Sequence, residues 1–183
     1  MYTYHNLKNN TIFQKIINVI LMLFGKLTGI YYYLLYLRYP TKTPDILLLT
    51  CIDYRLIDDY VVVLDELNLT NNYNQFSLAG ASLAFTDDQN HTPFDFKAFQ
   101  DVYYQHVNAS NLLHSISKIY VIDHQDCGAY KEQYGHDDYA LHVKNIRSFI
   151  KKVKKFIKIN IPGKKFSYHG YFITLNRKLI RVA

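Results

Sequence analysis

Two short segments, Cys51-Ile52-Asp53-Tyr54-Arg55 and His124-Gln125-Asp126-Cys127-Gly128-Ala129-Tyr130, hold residue types that bind a soft divalent metal. Two thiolates and an imidazole form a donor set suited to zinc, and three protein ligands leave a fourth position open. An open position marks a catalytic rather than a structural zinc site, because it admits water and lowers its pKa to about 7. Hydroxide made available in this way would attack a small electrophile. Each segment alone is weak: a cysteine after a buried strand is usually a small hydrophobe, and His-x-x-Cys spacing recurs by chance. Joint placement at the ends of two strands of one sheet is what singles out Cys51, His124 and Cys127 as ligands of one Zn2+ per chain.

Asp53 and Arg55, two apart on an extended turn, are spaced to pair, so that the arginine fork fixes the carboxylate and keeps it ionised. Held in this way, Asp53 either accepts a hydrogen bond from a metal-bound water or swings onto the metal as a fourth ligand and closes the site. The alternative is an ordinary surface ion pair worth about 0–1 kcal/mol. His136 and His142, downstream of the second segment, are candidate proton acceptors near neutral pH or plain surface histidines. Tyr54 and Tyr130 are candidates for shaping the pocket.

The elements around these segments alternate strand and helix. The apolar run 46–50 reads as a buried parallel strand with Cys51 at its C-terminal end. A helix is expected over 57–67, with Asp58 and Asp59 in the first turn where the helix dipole favours negative charge, and Asn71-Asn72 as a turn after it. Residues 75–79 read as a second strand ending in Gly80-Ala81-Ser82. Residues 94–113 read as a long helix carrying Phe96, Phe99, Val102, Tyr103 and Val107 on adjoining faces. The β-branched run 118–123 forms a third strand that delivers His124, Cys127 and Gly128 to the next loop. A helix over 139–157, a turn at Pro162-Gly163 and a strand over 166–175, extended toward Val182 by a hairpin through Asn176-Arg177, complete the pattern. This order implies an α/β fold of three layers, with a central, mostly parallel β-sheet of four to five strands and flanking helices. Ligands of such sheets bind beyond the carboxyl ends of the strands.

With 183 residues, 49% of them hydrophobic, and 20% charged, the chain suits one globular core over 41–183 and excludes disordered or collagen-like classes. Two cysteines are too few for a disulfide framework and suit a reducing, cytoplasmic setting. The net charge of +6 is concentrated in Lys151, Lys152, Lys154, Lys155, Lys158, Lys164 and Lys165. Ile150, Val153, Phe156 and Ile157 recur at helical spacing through that run, so it reads as an amphipathic helix with a solvated basic face, and no nucleic acid partner is expected. Residues 16–37 carry Lys26 as their only charge and approach the roughly 20 apolar residues of a membrane span. Asn18, Gly25, Gly29 and the tyrosines at 31, 32, 33 and 36 favour instead an apolar helical arm over 1–40 that packs on a partner subunit, with membrane contact as the other reading.

The Cys-x-Asp-x-Arg segment at Cys51, Asp53 and Arg55, followed by His-x-x-Cys-Gly at His124, Cys127 and Gly128, resembles the zinc-site signature of β-class carbonic anhydrases. The likeness in motifs runs from about Ile46 to Tyr130. It implies reversible hydration of carbon dioxide to bicarbonate, a homodimer or higher oligomer of dimers, Cys51, His124 and Cys127 as zinc ligands, and Asp53 with Arg55 as the catalytic dyad. Gly128 would let the backbone approach the site closely. Where the family has an Arg-Asn-Ala-Gly-like segment, this chain has Ser77-Leu78-Ala79-Gly80-Ala81-Ser82, which keeps the small residues and loses the polar pair. The chain therefore resembles a divergent branch. A related heterocumulene such as carbon disulfide or carbonyl sulfide is an alternative substrate, and a non-catalytic zinc-binding or membrane-associated interaction protein is an alternative of another class.

Overall fold

A computed structural model describes Ile16, Val19, Ile20, Leu23 and residues 43–88 and 94–183. The chain divides into two units, residues 1–41 and 42–183. In the first unit Ile16, Val19, Ile20 and Leu23 are helical and exposed. The remaining expectations for 1–40, an arm that meets a partner subunit or lipid, lie outside the described residues. Among the described residues no helix is long and apolar enough to cross a membrane.

The second unit is a three-layer α/β structure. Its elements run β1 (Ile46–Cys51), a 3-10 turn (Tyr54–Leu56), α1 (Ile57–Glu66), β2 (Asn74–Leu78), a 3-10 turn (Ala81–Phe85), α2 (Phe96–His114), β3 (Lys118–His124), α3 (Gly128–Tyr134), α4 (Tyr139–Asn160), β4 (Ser167–Ile173) and β5 (Leu179–Arg181). The sheet order is β2-β1-β3-β4-β5. The first four strands are parallel and β5 pairs antiparallel to β4 at the edge.

β1 is an interior strand and wholly buried, which is why its sequence is a continuous apolar run rather than an alternating one. Its side chains supply two cores. Leu47 and Leu49 face α2 and α4, packing with Tyr103, Val107, Phe149 and Val153, while Ile46 and Leu48 face α1, packing with Leu56, Tyr60 and Val63. Burying each such aliphatic side chain contributes roughly 1.5–3 kcal/mol. Edge strand β2 alternates half-buried and exposed residues instead.

The helices begin where their caps allow. Asp95 accepts a hydrogen bond from the Ala98 backbone N–H at 2.9 Å, and Asp138 accepts one from Ala140 at 2.9 Å. Along α4, His142, Ile146, Phe149, Val153 and Ile157 are buried, whereas Lys151, Lys154, Lys155 and Lys158 are exposed, so the basic run is the solvated face of an amphipathic helix. Lys152 is the exception, with its ammonium on the Thr86 carbonyl at 2.9 Å and the Asp87 carboxylate at 2.9 Å. Val102 departs from the expected apolar face of α2: it is exposed, while Phe96, Tyr103 and Val107 are buried.

Candidate metal centre

β1 and β3 are adjacent and parallel, with Thr50 opposite Ile122, so their carboxyl ends open side by side. Cys51 closes β1 and His124 closes β3. Cys127 lies three residues further on, at the N-cap position of α3. All three are buried, and one ligand atom from each lies within 4.8 Å of the others. The Cys51 and Cys127 Sγ atoms are 4.0 Å apart. Two zinc–sulfur bonds of about 2.3 Å at a tetrahedral angle place sulfurs about 3.8 Å apart, so the spacing fits.

The histidine is set up to coordinate. Its Nδ1 donates to the Gln125 carbonyl at 2.8 Å, which leaves Nε2 with its lone pair. That Nε2 is buried and has no hydrogen-bond partner among the described residues. A buried polar nitrogen without a partner is costly, and a cation held with the two sulfurs supplies the missing partner. The chemistry of the donor set, two soft sulfurs and one imidazole, fits zinc.

The thiols are poised unequally. Contact with Cys127 is the strongest influence on Cys51 and draws its thiol down to about 5 against the effect of burial, assisted by His124 and by the Gly80 backbone N–H, which donates to Sγ at 3.3 Å. The same sulfur contact, followed by burial, pushes the Cys127 thiol up. Burial lowers the basicity of His124, but its contacts with Cys51, the Gln125 carbonyl and Asp123 together outweigh burial and raise it.

Asp53 sits at the same mouth, 14% exposed, with Oδ2 3.9 Å from His124 Nε2. Its carboxylate caps the 3-10 turn after β1 by accepting from the Arg55 backbone N–H at 3.0 Å. The Arg55 guanidinium donates to it through Nε at 3.0 Å and Nη2 at 2.7 Å. This fork is the main reason the Asp53 carboxyl lies below its usual range. Arg55 does a second job as well: Nη1 donates to the Asp126 carboxylate at 2.8 Å and Nη2 to the Asp126 carbonyl at 3.0 Å.

Four other sequence candidates lie outside this cluster. Tyr54 is 81% exposed and does not shape an enclosed pocket. Gly128 has open space where a Cβ would stand, so close approach to another part of the protein does not require it. That role falls to Gly80, with φ +72° and a notional Cβ only 2.8 Å from Leu83 Cβ and 3.2 Å from Ala129 Cβ. His136 is exposed, but His142 is fully buried and so is not a surface histidine.

Asp123 belongs to neither sequence motif, yet it stands directly behind the site. Its carboxylate is buried and accepts from the Ser82 N–H at 3.0 Å, the Ser82 hydroxyl at 2.6 Å and the Tyr130 hydroxyl at 2.7 Å. Its sequence signal is its phase: Asp123 continues the Ile119-Val121 face of β3 into the core, where a carboxylate has to be paired.

No family model matches the sequence. The chain is 33% identical over 122 residues to an uncharacterized protein of Rickettsia conorii, covering 65% of this chain and 62% of that one. It is 31% identical over 122 residues to an uncharacterized protein of Rickettsia bellii, covering 65% of this chain and 71% of that one. The chain belongs to the family of these Rickettsia proteins. It spans 62% of the length of the Rickettsia conorii relative. Among solved structures, it is similar to the β-carbonic anhydrase CcaA at a TM-score of 0.53 and 13% identity, over 93% of this chain and 95% of that one. The fold of this Rickettsia-type chain is therefore that of the β-carbonic anhydrases, with five strands.

Proposed function

We propose that the chain is a zinc lyase that reversibly hydrates carbon dioxide to bicarbonate. One observation carries the reading: the unpartnered, buried Nε2 of His124 faces two sulfurs beside a carboxylate fixed by Arg55. Cys51, His124 and Cys127 are the proposed zinc ligands, one ion per chain. When bound, zinc supplies the Lewis acid that makes water nucleophilic near neutral pH.

The protein's own contributions follow from its geometry. Asp53, held ionised by the Arg55 fork, is an acceptor at the mouth of the site and orients the proton of an attacking water. Arg55 acts through Asp53 and positions it. Cys51, kept in place by the Gly80 N–H, anchors the floor. The apolar side chains of Ile52, Tyr54 and Ile57 are exposed beside the mouth, which supports assembly as a homodimer or larger oligomer of dimers. Two free, buried thiols support a reducing compartment such as the cytoplasm.

The test is stopped-flow hydration of carbon dioxide by the purified chain and by Asp53→Asn, with metal content measured on both. The reading expects turnover in the wild type and loss of most of it in the variant with zinc retained. No carbon dioxide turnover between pH 6 and 9 in a zinc-loaded sample removes it, and turnover of carbonyl sulfide or carbon disulfide in that sample assigns the site to the related substrates.

A further inference from the structure

The proposed reaction leaves one buried cluster unused. Behind the metal loop, both nitrogens of the His142 ring meet carboxylates: Nδ1 lies 3.0 Å from Asp123 Oδ2 and Nε2 lies 2.7 Å from Asp137 Oδ1. The ring is wholly buried, stacked on Tyr130 at 3.6 Å between centroids and flanked by Phe172. A neutral imidazole donates from one nitrogen alone, so both contacts are hydrogen bonds when the ring carries two protons.

The two carboxylates belong to the frame of the metal loop. Asp123 immediately precedes His124 on β3. Asp137 uses its other oxygen, Oδ2, to accept the Asp126 backbone N–H at 2.7 Å. Asp126 stands between His124 and Cys127 with a left-handed backbone, φ +64°, a conformation that a non-glycine residue keeps only when its surroundings hold it. Its carboxylate and carbonyl are held in turn by Arg55, and its carboxylate also by Lys131. The bonded chain Asp123–His142–Asp137–Asp126–Arg55–Asp53 thus passes around the back of the loop that carries two of the three ligands.

We infer that His142 and Asp137 are positioning residues for the metal centre, His142 as a doubly protonated ring bridging Asp123 and Asp137, so that the loop 124–127 is clamped to β3 and to the start of α4. Burial works against a charged ring, but the bonds to Asp123 and then Asp137 outweigh it and raise the basicity of His142. The inference rests on Cys51, His124 and Cys127 being the metal ligands. It concerns how firmly the loop presents them, not how the substrate reacts.

The test follows release of zinc from the full chain to a chromophoric chelator, together with the thiolate-to-cobalt absorption of the cobalt-substituted protein, for wild type, Asp137→Asn and His142→Gln. In Asp137→Asn the amide group cannot accept from both His142 and Asp126. Release faster by about 10- to 100-fold, with a shifted cobalt spectrum, is the expected result. Wild-type release and an unchanged spectrum in folded Asp137→Asn overturn the inference and leave the metal site standing. A wild-type chain that takes up neither zinc nor cobalt removes the metal reading and the clamp with it. Nitrogen-15 NMR of labelled histidines in the wild type tests the bridge without any variant: two protonated ring nitrogens are expected for His142, and one bare nitrogen overturns the proposal.

Discussion

Arg55 and Asp126 are 71 residues apart in sequence and joined by two hydrogen bonds, from Nη1 to the carboxylate at 2.8 Å and from Nη2 to the backbone carbonyl at 3.0 Å. Because the same guanidinium also grips Asp53, one side chain ties the loop after β1 to the loop after β3. The candidate metal centre is therefore braced at its rim.

Replacing Arg55 by lysine tests that brace. A lysine keeps the charge but offers a point donor in place of the planar fork, so it cannot hold Asp53 and both Asp126 oxygens together. Carbon dioxide hydration is expected to fall about 10- to 100-fold with zinc still bound. Wild-type turnover in Arg55→Lys would show that the pair is an ordinary surface contact.

Gly80→Ala tests the packing that sets Cys51. The residue has φ +72°, and the added methyl would meet Leu83 Cβ at 2.8 Å. The backbone conformation alone costs roughly 1–2 kcal/mol for an L-residue, and the clash adds to it. Thermal unfolding of the variant should begin well below that of the wild type; an unchanged midpoint contradicts the geometry.

Tyr130→Phe removes one of the donors to buried Asp123, since the tyrosine hydroxyl lies 2.7 Å from Oδ2. Leaving a buried carboxylate short of a partner costs about 1–3 kcal/mol. Urea denaturation should show a lower midpoint with the slope unchanged. A loss too small to resolve would mean that Ser82 and His142 satisfy Asp123 by themselves.

Stripping the metal is expected to destabilise the chain, because an ion that binds only the folded state stabilises it by about 4 kcal/mol at a thousandfold excess over its dissociation constant. Treatment with a chelator should lower the melting temperature, with recovery on adding zinc and none with magnesium, which disfavours sulfur ligands. Equal recovery with magnesium would point to a different site.

Much of the fold was legible because local pattern and burial agree. The continuous apolar run of β1 and the β-branched run of β3 are what strands covered on both faces require, and they place Cys51 and His124 at neighbouring carboxyl ends. The 3-10 turn at Ala81–Phe85 was not legible, because its five buried residues carry no period, and it is Gly80 that permits the turn. Gly128 looked like the required glycine since it stands beside Cys127, yet its Cβ position is open. His142 and Asp137 carry no motif at all. Their partners, Asp123 and Asp126, come from β3 and the loop after it, so sequence spacing could not pair them.

The most direct measurement of the central claim is zinc-edge X-ray absorption on purified protein whose metal content has been counted. One zinc per chain is expected, with two sulfur neighbours at about 2.3 Å and one imidazole nitrogen at about 2.0–2.1 Å, and with the sulfur count halved in Cys51→Ser. A protein without stoichiometric metal, or a zinc shell that keeps both sulfurs in Cys51→Ser, would contradict it.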